Sequence, residues 1–230
     1  MIAMKICLFD IDGTLIHTGG AGQSAMATAL ADQFGLPPDT DGVSFAGRTD
    51  RAIIGDLFHK HGVEDSEHNW DRFQACYVAL LDETLPAKPG RVLPGVRELL
   101  DQLDRRDDVA MGLLTGNLRA GAAKKMAYFQ LDRFFTFGGY GDVHRERDAV
   151  AVEALADAHR RFNGQSDAAG VWVVGDTPMD VSCARAIDAC AVAVLTGWHA
   201  RERLVAAEPD LLLDDLSDPA PLMQLLDDRR

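Results

Sequence analysis

The 230-residue sequence predicts an α/β fold: a parallel sheet with helices on both faces, plus an all-helical module inserted after the first strand. Three observations carry that reading. Short apolar runs of strand length recur along the chain, amphipathic helical stripes separate most of them, and the stretch from about Gly20 to Leu85 holds helical stripes with no strand among them.

Taken in order, Met1 to Asp10 reads as a strand, with the apolar run KICLF over Lys5–Phe9 ending at an acid. Later runs are Val109–Leu114 (VAMGLL), Val171–Val174 (VWVV), Ala191–Leu195 (AVAVL) and Leu211–Leu213. Helical stripes lie between them: Val96, Leu99, Leu100 and Leu103; a helix over Leu118–Phe129; Val150, Ala154, Leu155, Ala158 and Phe162; and Val181, Ala184 and Ile187. In the inserted module, Met26, Leu30 and Phe34 share a face and Gly35 ends that helix. Thr49 is positioned to N-cap a second, carrying Ile53, Ile54, Leu57 and Phe58 and stopping at Gly62. Trp70, Phe73, Tyr77 and Leu81 line a third, up to Pro86. Gly19-Gly20 and Pro86 to Gly90 read as linkers, which divides the chain into a core of residues 1–17 and 88–230 and a helical module of residues 18–87. The C-terminal DDRR reads as a helix end.

Composition narrows the partners. A net charge of −13 argues against a nucleic-acid backbone or an anionic membrane as partner, since both require clustered Lys and Arg. No stretch approaches the roughly 18 consecutive apolar residues of a membrane span, and the N-terminus lacks the pattern of a secretory signal. Cys7, Cys76, Cys183 and Cys190 form no CxxC pair and no metal-finger spacing, which favours reduced thiols and a cytoplasmic protein. His59 and His61, on the second helix of the module, have no third ligand at matching spacing, while His17 can face a ligand just past the first strand.

Chemistry concentrates where strands end. Asp10-Ile11-Asp12-Gly13-Thr14-Leu15 follows the first strand directly, and ligands of open α/β sheets bind beyond the carboxyl ends of strands. Gly13 allows the sharp turn that lets Asp10 and Asp12 converge. One carboxylate can attack phosphorus while the other manages protons, and paired carboxylates favour a hard cation such as Mg²⁺. Solvated acids in a turn would leave the same trace. Val174-Gly175-Asp176-Thr177-Pro178-Met179-Asp180 adds two more acids at a strand end, Asp180 returning one helical turn after Asp176. Asp176 or Thr177 also suits a helix cap. Thr115-Gly116-Asn117 follows the run Val109–Leu114 and offers backbone N–H groups to an anion, although Thr-Gly-Asn is also ordinary turn chemistry.

Together, DxDGT, a strand-terminal Thr and GDxxxD, in that order, resemble the haloacid dehalogenase-like hydrolase superfamily over nearly the whole chain. The helical module resembles the cap of its phosphoglycolate phosphatase-like branch. The resemblance implies a Rossmann-like core and a Mg²⁺-dependent phosphatase acting on a small phosphorylated metabolite through an aspartyl-phosphate. It implies Asp10 as nucleophile and Asp12 as the acid and base. It implies Mg²⁺ held by Asp10, the Asp12 backbone carbonyl and Asp176, with Asp180 in support, and phosphoryl oxygens bound by Thr115, Gly116 and Asn117. The family also carries a cation, usually Lys, between its second and last motifs. No Lys follows Lys125, and Lys124 and Lys125 fall in the helix after Thr115, too early for that role. The expectation therefore passes to Arg145 or Arg147, with Arg147, beside the next helix, preferred. Arg48, next to the Thr49 cap, is expected to reach substrate from the module. A dehalogenase would lack Asp12, a phosphomutase would usually have Glu-Asp at Gly175-Asp176, and a phosphonatase would need a cap Lys, for which Lys60 is the candidate. A non-catalytic binding protein would not need all of Asp10, Asp12, Thr115, Asp176 and Asp180.

Overall fold

The structure, a computed structural model, describes residues 4–162 and 170–228. Residues 1–3 of the expected first strand, and Arg229 and Arg230 of the expected helix end, lie outside the described residues.

The chain runs β1 (Lys5–Phe9), β2 (Ile16–His17), α1 (Ala21–Phe34), α2 (Asp50–His61), α3 (Glu67–Ala87), β3 (Arg91–Val92), α4 (Val96–Asp104) and β4 (Val109–Leu114). It continues through α5 (Arg119–Tyr128), β5 (Gly138–Gly139), α6 (Arg147–Arg161), β6 (Val171–Gly175), α7 (Pro178–Ala186), β7 (Cys190–Val194), α8 (Arg201–Ala206), β8 (Leu211–Leu213) and α9 (Ala220–Asp228). Six strands form one sheet in the order β5-β4-β1-β6-β7-β8, and every pairing in it is parallel.

Alternation along the strands sends side chains to two separate cores. Cys7, Phe9, Trp172, Val174 and Val192 face one layer, which includes Leu99 and Leu103 of α4 and Leu222 and Leu226 of α9. Ile6, Leu8, Val171, Val173 and Ala191 face the other, covered by α6 and α7 through Val150, Ala154, Val181 and Ala184. Both faces are dry, so the strands read as continuous apolar runs rather than alternating ones. Truncating a fully buried Leu8 to Ala would cost about 2–5 kcal/mol.

The helical module follows its predicted stops. α1 ends at Gly35 and α2 at Gly62, both in the left-handed conformation, and Thr49 caps α2 by accepting the Ala52 N–H at 3.2 Å. Other expectations need correction. Pro86 does not end the third helix; α3 runs on through Ala87, so the linker there is shorter than expected. β2, β3 and β5 are too short to leave a periodic signal. β2 and β3 pair antiparallel at the two crossings between sheet and module. Among the described residues no helix is long and apolar enough to cross a membrane.

Candidate active site

Sheet order decides which loops meet. β4 and β6 flank β1, although β1 and β4 are separated in sequence by the whole helical module. All three run parallel, so the residues after them, Thr115, Asp10 and Asp176, emerge at one edge. β1 is also where the chain reverses the direction in which it adds strands, the usual place for a ligand in such sheets.

Three of the four predicted acids converge. One carboxylate oxygen from each of Asp10, Asp176 and Asp180 lies within 4.8 Å of the others, and all three side chains are buried. Gly13, at φ 90°, turns the chain beneath Asp176, where a Cβ would stand 2.5 Å from an oxygen of that carboxylate. Thr14 donates to Asp176 Oδ1 at 3.1 Å, whereas Asp176 Oδ2 is buried with no hydrogen-bond partner. Asp180 has two jobs already: it completes a capping box with Thr177, accepting its N–H and hydroxyl at 3.0 and 2.7 Å, and it ion-pairs with Arg147. Arg147 also stands 3.4 Å from Asp10 Oδ1, which places it between two of the acids.

The electrostatics follow. Burial pushes the Asp10 carboxyl well above its ordinary value, with Asp180 and Asp12 adding to the rise and Arg147 opposing it. Burial likewise raises Asp176, reinforced by Asp180 and Asp10. Three buried acids, one positive partner and an unpartnered oxygen fit a hard divalent cation with oxygen ligands.

Asp12 behaves differently. Its carboxylate is not part of the trio and is shared by Lys125 and Asn117: Lys125 Nζ lies 2.6 Å from Asp12 Oδ2, and Asn117 Nδ2 donates to the same oxygen at 2.9 Å. Lys125 also donates to Asn117 Oδ1 at 2.5 Å. From sequence, Lys125 falls too early in the chain for the family's cation, a place that Arg147 occupies beside Asp10, and it is given no other role. α5 starts just past Asn117, and two turns of helix bring Lys125 back over the loop. The signal was present in the helix period, since Gly121, Ala122, Lys125 and Met126 make up the buried face of α5.

The phosphate-loop candidates are tightly built. Thr115 is fully buried, and its hydroxyl accepts from Asn117 N–H and Nδ2 at 3.3 and 2.8 Å. α2 docks on this loop: Asp50 N–H donates to the Gly116 carbonyl at 2.6 Å, and Leu118 N–H donates to Asp50 Oδ2 at 2.8 Å. A Cβ on Gly116 would collide with the Arg48 carbonyl. Burial raises the Asp50 carboxyl to about 6, opposed by Lys125 and by the Leu118 N–H. Tyr77, which shares a hydrogen bond with Asp50, was read from sequence only as one of the apolar-face positions of the third helix.

Asp10, Asp12, Gly116, Asn117, Lys125, Arg147 and Asp176 line a cavity of about 660 Å³ between sheet and module, to which Arg48, His17 and Trp198 also contribute. The Arg48 guanidinium is ion-paired with Asp56. The other predicted cation goes elsewhere, for Arg145 ion-pairs with Asp65 of the module. His61 contacts the Asp39 carbonyl at 2.7 Å, within the module.

A buried acid cluster at a topological switch point, with a flanking acid and a cationic partner, is an arrangement that can hold a divalent cation and serve phosphoryl chemistry. Residues 7–194 match the haloacid dehalogenase-like hydrolase family, and the chain belongs to it. It is a phosphatase of the phosphoglycolate phosphatase-like branch. It is 32% identical over 217 residues to a phosphoglycolate phosphatase of Synechococcus elongatus, covering 94% of this chain and 95% of that one. It is 29% identical over 226 residues to the probable phosphatase IndB of Dickeya dadantii, covering 93% and 90%. The crystal structure of a predicted phosphoglycolate phosphatase from Haemophilus somnus shares the fold, with a TM-score of 0.73 at 20% identity over 97% of this chain and 100% of that one.

Proposed function

We propose that the protein hydrolyses a small phosphomonoester metabolite, phosphoglycolate or a close analogue, with Mg²⁺ as its cofactor and through an aspartyl-phosphate on Asp10. The observation that carries this reading is the placement of Asp10, buried at the tip of β1 beside Asp176, Asp180 and Arg147, with Asp12 two residues on. The names of the relatives favour phosphoglycolate. Residues 18–87 serve as the cap over a core of residues 1–17 and 88–230, and four cysteines with no disulfide among them suit the cytoplasm.

Asp10, Asp176 and the Asp12 backbone carbonyl would hold Mg²⁺, with Asp180 steadying the site. Bound there, the ion offsets the charge of a phosphoryl dianion facing several carboxylates. Arg147 and the Gly116 backbone receive the phosphoryl oxygens; Asn117, whose amide N–H groups already serve Thr115 and Asp12, and the fully buried Thr115 brace the loop instead of binding them. An Asp10 oxygen attacks phosphorus as the ester P–O bond breaks, and Asp12 delivers a proton to the departing oxygen. Asp12 then takes a proton from water, whose oxygen attacks phosphorus and frees Asp10 and inorganic phosphate. Arg48 contacts the remainder of the substrate from the cap.

Asp10→Asn is the direct test, because an amide cannot form the acyl-phosphate. The folded variant is expected to be inactive on phosphoglycolate and on p-nitrophenyl phosphate. Near wild-type turnover would refute the assignment.

A further inference from the structure

Lys125 is the feature that this reading leaves unused. Its side chain is only 4% exposed, an unusual place for an ammonium unless it is paired. The face of α5 around it is made of Gly121, Ala122 and Met126, so a methionine there would pack without the cost of burying a charge. The charge is spent on one carboxylate and its neighbour. Lys125 Nζ and Asn117 Nδ2 both bind Oδ2 of Asp12, while Lys125 also orients the Asn117 carbonyl oxygen. Oδ1 of Asp12 has no such partner among the described residues. The carboxylate is therefore clamped through one oxygen, in one rotamer, with the other oxygen left to the cavity that Asp12 lines.

We propose that Lys125 is a positioning residue for proton transfer, holding Asp12 by Oδ2 so that Oδ1 meets the departing oxygen of the substrate. The proposal rests on the reading of Asp12 as the general acid. Side chains without this clamp would sample several rotamers, and a positioned acid contributes on the order of 10²–10⁴-fold to a step that needs its proton. A departing alkoxide needs that proton; a departing nitrophenolate does not.

The test compares kcat/KM for an alkyl phosphate, such as phosphoglycolate or glycerol phosphate, with that for p-nitrophenyl phosphate. The ratio covers the chain through cleavage of the ester bond and is measured in wild type, Asp12→Asn, Lys125→Met and the double variant. Lys125→Met is expected to lose on the order of a hundredfold on the alkyl phosphate and little on the aryl one, with Asp12→Asn showing the same selectivity and the double variant no worse than Asp12→Asn. Equal losses on both substrates would mean that Lys125 binds the phosphoryl group itself, and would overturn the proposal, as would no loss on either. Leaving-group selectivity in Asp12→Asn but not in Lys125→Met sinks the proposal alone. Its absence in Asp12→Asn sinks the acid assignment and the proposal together. Should Lys125→Met not fold, Lys125→Gln, which keeps a donor but drops the charge, carries the same comparison.

Discussion

Arg145 and Arg147 stand two residues apart and their guanidinium groups serve different parts of the molecule. Arg145, in the loop before α6, reaches out to Asp65 of the helical module and is half exposed. Arg147, the first residue of α6, is buried between Asp10 and Asp180. Arg147→Ala is expected to lower kcat/KM by about a hundredfold or more, the usual size of a charge contact made to the transition state. Arg145→Ala should leave it close to wild type. Losing Arg147 also strands two buried acids, so its melting temperature should fall as well, and Arg147→Lys should recover part of both losses. Steady-state kinetics and thermal melts on the three variants check this.

Metal binding has a readout apart from turnover. Without a cation, Asp176 is held above its ordinary range by burial and by its acidic neighbours, so its ionised form destabilises the fold near neutral pH. Asp176→Asn should therefore melt higher than wild type in EDTA. Added Mg²⁺ should raise the wild-type melting temperature, by about 2.7 kcal/mol of stability at a hundred times Kd, and leave the variant unmoved. A Mg²⁺-dependent shift of equal size in both proteins would remove Asp176 from the site.

Arg48 is paired with Asp56 at the edge of the cavity, from which its fork can transfer to a substrate carboxylate. Arg48→Ala is expected to raise KM for phosphoglycolate while sparing p-nitrophenyl phosphate, which has no carboxylate. Equal effects on both substrates would count against a cap contact.

Asp50 supplies a pH-dependent stability test. Its carboxyl, raised from 3.8 to about 6, binds a proton more readily in the folded chain than in the unfolded one. Folding is therefore favoured at low pH, and that contribution is lost as pH rises from about 4 through about 6. The gap corresponds to on the order of 3 kcal/mol. Asp50→Asn can still accept the Leu118 N–H but does not titrate, so its stability relative to wild type should rise across that window. Urea unfolding at several pH values measures it, and parallel curves for the two proteins would rule it out.

Much of this molecule is written locally. Apolar runs of strand length, glycine stops at Gly35 and Gly62, the Thr49 cap and acids placed directly after strands are decided by neighbours within a few residues. From them the α/β class, the helical module and the acids Asp10, Asp12, Asp176 and Asp180 could all be read. β2, β3 and β5, two residues each, left no trace because two residues carry no period.

What the sequence alone determined is which residues stand at strand ends and helix starts, because φ/ψ preference and periodicity are short-range. Only the tertiary structure decided which of them meet. The order β4-β1-β6 brings three distant loops to one edge, and the docking of α2 on the Gly116 loop brings Asp50 within electrostatic reach of Lys125. The rotation of α5 about its own axis turns Lys125 inward onto Asp12, while Lys124, one residue before it, pairs with Asp82 of α3. Adjacent positions on a helix differ by about 100° in direction. The helix period puts Lys125 on the apolar face of α5 and Lys124 off it, but that the inward lysine meets Asp12 is decided by long-range packing, which no local pattern encodes.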